Sequence, residues 1–311
     1  MSDNKTTSAP HTEEKTFRAY TSQQGKDYAQ HRFGYSPSLY QAIIDYHKGG
    51  GQLDIILDVG CGPGVAVRAL APQFAHAIGI DPSEGMISTA RSLDENKGIR
   101  FEVSTAEDLG SQVSPPIADS SVDLIIAATA AHWFDMPRFW ARAAKVLKPG
   151  GSVAIWTSAS GVVHPSVPNA AAIQKALDEY RDKHIRPYDA PGNVIAADLY
   201  TNLPLPWTSP EPVQEFDEDT FVRKEWAPGG EFLVGSERMV DMETLEKVLG
   251  TASPITRWRE AHPDAVGTEN DVTRLLRREI EKLLHEAGAE KGKEMVRGSV
   301  KGVLLMVKKK A

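Results

Sequence analysis

Residues Leu53 to Gly64 read L-D-I-I-L-D-V-G-C-G-P-G. An apolar run rich in branched side chains (Ile55, Ile56, Leu57, Val59) ends in glycines at alternate positions 60, 62 and 64, the pattern of a buried strand entering a tight ligand-binding turn. Glycine there removes side chains that would hold a ligand off the backbone, and it permits positive φ where the chain reverses. Pro63 stiffens the turn, and the segment from Val65 to Ala71 starts a helix, so the loop's free amides face the ligand.

The spacing selects the ligand. A dinucleotide loop is G-x-G-x-x-G, whereas this one is G-x-G-x-G with Asp58 two residues ahead of its first glycine. A carboxylate beside the loop repels a pyrophosphate and attracts an amino group such as that of S-adenosylmethionine. D-V-G-C-G-P-G resembles the first motif of the class I S-adenosylmethionine-dependent methyltransferases.

The chain has 311 residues, enough for one large α/β domain with insertions or a core with a small cap. With 41% hydrophobic and 25% charged residues and no apolar run near the roughly 18 residues of a membrane span, the composition points away from the bilayer. The polar stretch Met1 to Lys15 lacks the apolar centre of a signal peptide, and a cytoplasmic location is expected. Cys61 is the single cysteine, which excludes an internal disulfide and multi-thiolate zinc sites; no metal is expected. Net charge is −7 with scattered basic residues, so nucleic acid is not the expected partner and a small molecule is.

Further motifs follow in register. Ala77 to Ile80 is a short strand ending at Asp81, about 20 residues past the loop, where one carboxylate can bond both hydroxyls of a ribose. Ser83 caps a helix over Glu84 to Leu93, and Ile99 to Val103 is a third strand. Val122 to Ala128 is a fourth, buried strand followed by T-A-A-H-W-F-D. Ligands bind beyond the carboxyl ends of such strands, so His132 and Trp133 point toward the crevice. Pro137 opens a helix to Leu147, and Ser152 to Trp156 is strand five. Alternation of strands and helices from Leu53 to Trp156 argues a Rossmann-like, doubly wound parallel sheet. Beyond it, helices are expected over Asn169 to His184, Met242 to Leu249 and Val272 to Glu286, with strands over Val213 to Trp226 and Gly302 to Val307. Tyr188, Trp207 and His184 lie in the proline-broken stretch assigned to substrate enclosure.

Y-x-x-x-R-x-x-Y-x-x-x-x-Y from Tyr28, A-H-W-F-D from Ala131 and L-K-P-G-G-x-x-x-I from Leu147 strengthen the resemblance, the first two to trans-aconitate methyltransferase-like enzymes. The resemblance implies a seven-stranded sheet, mostly parallel, with the last strand antiparallel between strands five and six, plus a helical substrate cap. It implies a disordered leader over 1–20, a methyltransferase domain over 21–311, an N-terminal lid helix over 28–48, a cofactor core over 53–157 and a substrate-enclosing insertion over 158–212 and parts of 227–290. Carried over by position, the residues for S-adenosyl-L-methionine are Asp58, Gly60, Cys61, Gly62, Gly64, Asp81, Pro82, Met86, Ala106, Glu107 (the last pair at the adenine edge), Thr129, and Tyr28 and Arg32 of the lid. Tyr35, His132, Trp133 and Trp258 fall to the acceptor, with His132 as the catalytic base wherever the accepting atom carries a proton. A polyanionic acceptor would call on arginines, among which Arg32 is the best placed while Arg138, Arg223 and Arg257 have no evident position. The implied activity is methyl transfer to an oxygen, carboxylate or hydroxyl, of a small metabolite. Transfer to nitrogen, carbon or sulfur, a non-catalytic regulatory partner, and a nicotinamide oxidoreductase are the alternatives.

Overall fold

A computed structural model describes residues 15–95, 98–235 and 239–311. Two helices lead, α1 (Ser22–His31) and α2 (Pro37–Lys48), and are followed by β1 (Ile55–Val59), α3 (Val65–Leu70), β2 (His76–Asp81), α4 (Glu84–Leu93), β3 (Ile99–Val103), β4 (Val122–Ala128), α5 (Met136–Val146) and β5 (Leu147–Val163). Then come α6 (Ala170–Tyr180), α7 (Pro191–Ala197), β6 (Phe216–Trp226), β7 (Val240–Asp241), α8 (Met242–Gly250), α9 (Ser253–Ala261), α10 (Val272–Glu286), β8 (Met295–Val296) and β9 (Gly298–Lys309).

The main sheet has seven strands in the order β3-β2-β1-β4-β5-β9-β6. β1 pairs parallel with both β2 and β4, so the chain winds one way from β1 to β3 and the other from β4 onward. The order reverses between β1 and β4, which opens a crevice at their carboxyl ends. β9 runs antiparallel between β5 and β6, as the sequence resemblance implies. Alternation along β1 feeds two cores: Leu57 and Val59 face Ile125, Phe139 and Trp140 on the α5 side, whereas Ile56 faces Leu39, Ile43, Val67 and Ile87 beneath α2, α3 and α4. A third cluster, with Ile173, Met242, Leu276, Ile280 and Leu284, ties α6, α8 and α10 into a cap with its own apolar centre.

Several boundaries differ from the sequence reading. The single helix over 28–48 is two: α1 ends at His31, Arg32 is extended, and Ser36 caps α2 with Pro37 at its first turn. The gap is fixed from outside, since Ser36 donates its N–H to the Phe232 carbonyl and Tyr35 bridges to Leu233. Of the leader 1–20, residues 1–14 lie outside those described, but Lys15 to Tyr20 form a turn in which Thr16 and Tyr20 are buried. β5 and β9 run well past 152–156 and 302–307, and their paired extension from Gly161 to Val163 reaches toward the cap. The helix from Asn169 gives way after Tyr180 to a wider π turn over Arg181–Ile185.

Residues 15–32 form a strap from the sheet to the cap. On the sheet side Thr89 donates its hydroxyl to the Ser22 carbonyl, and on the cap side Tyr20 bonds Thr256 while Arg257 donates to Thr16. The approach to α4 requires glycine: a Cβ on Gly85 would fall 2.0 Å from the Tyr20 carbonyl oxygen. Gly85→Ala is therefore expected to push the strap off α4, lowering unfolding free energy by about 1–3 kcal/mol. Denaturant titration reads the loss, and limited proteolysis should cut sooner within 15–32; an unchanged midpoint would mean that the strap is loosely seated.

Candidate functional site

The reversal in strand order opens into a cavity of about 620 Å³ that runs from the glycine loop to the cap helices. Gly60, Gly62 and Gly64 all have positive φ, at 65°, 52° and 82°. Only at Gly62 would an added Cβ meet nothing within 4 Å, so this is the position where the loop's bare backbone faces the opening. At Gly64 a Cβ would strike Phe101 and Arg68; this glycine does not border the cavity, and its task is to turn the chain into α3.

Asp81 fixes the loop. Its Oδ2 accepts the Gly62 N–H at 2.9 Å and its Oδ1 accepts the Ser83 N–H at 2.9 Å, so one buried carboxylate joins the loop to the start of α4. Asp81, Pro82 and Met86 line the wall beside Cys61, with Ala106 and Glu107 farther along. Glu107 also accepts the Asp135 N–H at 2.8 Å and so steadies the chain entering α5. Thr105 and Phe134, which the sequence reading did not assign to the site, complete this end.

Asp58 departs from expectation. It is fully buried under the loop, does not border the cavity, and accepts the Val67 N–H at 3.2 Å on Oδ2, while Oδ1 is buried without a hydrogen-bond partner among the described residues. Burial, reinforced by Asp81, holds its carboxyl well above the ordinary 3.8. The charge argument from sequence assumed an ionised group facing the ligand; the structure gives a capped-off acid that anchors α3.

At the end of β4, Thr129 has φ 53°, unusual for a branched residue, and is held there by its N–H to Trp156 O at 2.8 Å and by the Tyr35 hydroxyl at 2.9 Å from Oγ1. Both residues border the cavity, and burial raises the Tyr35 phenol to about 12. His132 is buried, with Nδ1 2.9 Å from the Tyr200 hydroxyl and its ring 4.7 Å from Trp133. Burial first, and the nearby Arg32 second, bring its pKa down to about 3. Tyr28 and Arg32 also line the cavity. The guanidinium sits 5.1 Å from the Tyr28 ring centroid, Tyr28 is the main cause of its raised pKa, and it forms no ion pair with a carboxylate among the described residues.

Other expected contacts lie elsewhere. Trp258 stacks on His262 at 4.2 Å inside the cap and does not border the cavity. Trp207 packs on Phe221, His184 on Tyr180, and Tyr188 on His262, its carbonyl accepting from Arg257. Phe17, Tyr200 and the cap residues Leu177, Leu249 and Ile255 were not singled out from sequence, because no local motif marks them and they converge only in the fold. Phe17, Leu177, Leu249 and Ile255 line the cavity; Tyr200 reaches it through His132.

Residues 57–155 match the family described as methyltransferase domain. The chain is 38% identical over 131 residues to "Probable S-adenosylmethionine-dependent methyltransferase CRG1" of Saccharomyces cerevisiae, covering 40% of this chain and 42% of that protein. It is 35% identical over 121 residues to a malonyl-[acyl-carrier protein] O-methyltransferase of Hahella chejuensis, covering 38% and 41%. These matches span less than half the length of the curated relatives. A solved structure from Anaeromyxobacter dehalogenans, provisionally named a type II methyltransferase, is similar over 90% of this chain and 97% of that one, with 25% identity and a TM-score of 0.58.

The burial of Asp58 has a pH signature. A carboxyl whose folded pKa is raised contributes stability below its unfolded value, and that contribution is lost as pH rises through the folded one. Asp58→Asn keeps an acceptor for Val67 and removes the titration. Relative to this variant, the native protein should lose stability as pH rises above the ordinary carboxyl value of 3.8, read by denaturant unfolding at several pH values. A difference that does not change with pH would show Asp58 to be charged in the fold.

Proposed function

Because residues 57–155 give the chain a class I S-adenosylmethionine-dependent methyltransferase domain, we propose that the whole protein transfers a methyl group from S-adenosylmethionine to a carboxylate oxygen of a small metabolite. The observation that carries the choice of acceptor is His132. It occupies the strand-end position from which a base would act, yet with a pKa near 3 it is a poor proton acceptor at neutral pH. A carboxylate needs no base, whereas a phenol or alcohol does. The Hahella relative is itself an O-methyltransferase.

The cavity suits the cofactor in shape and chemistry. Gly62 leaves backbone bare, the Asp81 carboxylate stands at the wall where a ribose would lie, and Met86 and Ala106 offer apolar walls for a base. S-adenosylmethionine, when bound, supplies a sulfonium-activated methyl, so the protein's work is alignment and exclusion of water. Arg32 offers a positive charge to carboxylates in the cavity. His132, with one ring nitrogen engaged by Tyr200, orients the acceptor through the other by a neutral hydrogen bond and is better described as a positioning residue than as a base. Phe17, Tyr28 and Trp133 form an aromatic wall that sheds water.

Two outcomes test this reading. Asp81→Ala should weaken S-adenosylhomocysteine binding by about 1.5–3 kcal/mol in calorimetric titration, the range for a hydrogen bond to a charged group; equal affinity would remove Asp81 from the site. With labelled cofactor and an acid acceptor, kcat/KM should show no step near the ordinary histidine value of 6.5, since His132 stays neutral until about pH 3. A step near 6.5 that vanishes in His132→Asn would instead make His132 the base.

A further inference from the structure

We infer that the acceptor is an amphipathic monocarboxylic acid whose apolar body lies among the cap helices; this rests on the methyltransferase reading and narrows its substrate. Away from the glycine loop, the cavity wall is built by Leu177 of α6, Leu245 and Leu249 of α8, Ile255 of α9, and Leu276 and Ile280 of α10. Leu177, Leu245 and Leu249 pack against the cap's core and are only partly buried, because the cavity takes the place of further side chains. Such a surface inside a protein favours an apolar occupant over water.

The charges at the wall argue for one carboxylate rather than several. Among the described residues four arginines border the cavity: Arg32, whose neighbours are Tyr28, Tyr35 and Tyr20, and Arg18, Arg181 and Arg297, each of which already has a partner within the protein. Arg181 is paired with Asp189 at 3.3 Å, and Asp178 adds a negative charge to the same wall. Arg138, Arg223 and Arg257 do not border the cavity; Arg223 pairs with Glu225, and Arg257 serves Tyr188, Thr16 and Asn193. A short tricarboxylate of the aconitate kind would meet arginines that already have protein partners, an acid-bearing wall and a leucine-lined end. A monoacid with a hydrocarbon body satisfies both ends, its carboxylate toward His132 and Arg32 and its body among the leucines.

The test offers the full chain labelled S-adenosylmethionine with saturated monocarboxylic acids from butyrate to tetradecanoate, and short tricarboxylic acids in parallel. We expect kcat/KM to rise about fourfold for each methylene over several steps, the transfer value of one buried methylene, and then to level as the cavity fills. Leu249→Gln should flatten that rise with S-adenosylhomocysteine affinity unchanged. Leu177→Gln repeats the test from α6 should the first variant fold poorly. A flat series, no methyl acceptance by any monoacid, or preference for tricarboxylates, with S-adenosylhomocysteine still bound, overturns the inference and leaves the cofactor reading standing. A folded protein that binds no S-adenosylhomocysteine overturns both.

Discussion

One carboxylate sets the geometry of the whole cleft. Asp81 ends β2 and, with separate oxygens, holds the Gly62 amide of the loop after β1 and the Ser83 amide that begins α4. A loop with three residues at positive φ has little stiffness of its own. Charge-assisted bonds in a buried setting supply it. The acid that the fold uses to freeze the loop also borders the cavity, so one side chain both holds the scaffold and faces the opening. Around it the strand reversal between β1 and β4 fixes where the opening must be.

The half of the site near the sheet was legible because its determinants are local. A strand, a glycine loop and an acid at the next strand end occupy short runs whose meaning depends on a few neighbours. Where the reading failed, it assumed a side-chain direction that backbone pattern does not give. Asp58 and Gly64 belong to the motif, yet one is sealed beneath the loop and the other abuts Phe101. The resemblance implies one lid helix over 28–48, whereas Ser36 and Pro37 carry a local start signal and the second helix begins there.

The half near the cap was not legible for a different reason. His132 meets Tyr200 68 residues later, and Tyr20 meets Thr256 across 236 residues. Neither pair leaves a local pattern. Leucines at helical spacing over α6, α8 and α10 announce that each helix buries a face; they do not say that the faces surround a space instead of closing on one another. Trp258 shows the converse, since a large aromatic in the cap is as readily consumed by the cap's own packing, here against His262.

The two halves of the cavity differ in chemistry and in how they are held. The sheet end offers bare amides and an acid at positions set by strand register, a polar and rigid surface. The cap end is held together by its own core and joined to the sheet through β5, β9 and the strap, so its leucines can change without disturbing the loop. In such an arrangement cofactor affinity and acceptor choice are nearly independent variables. Neutral His132 stands at the boundary, next to Arg32 on one side and hydrogen-bonded to Tyr200 on the other. With so low a pKa it keeps the same hydrogen-bonding form throughout the physiological range, so the cavity wall it forms does not change its charge with pH.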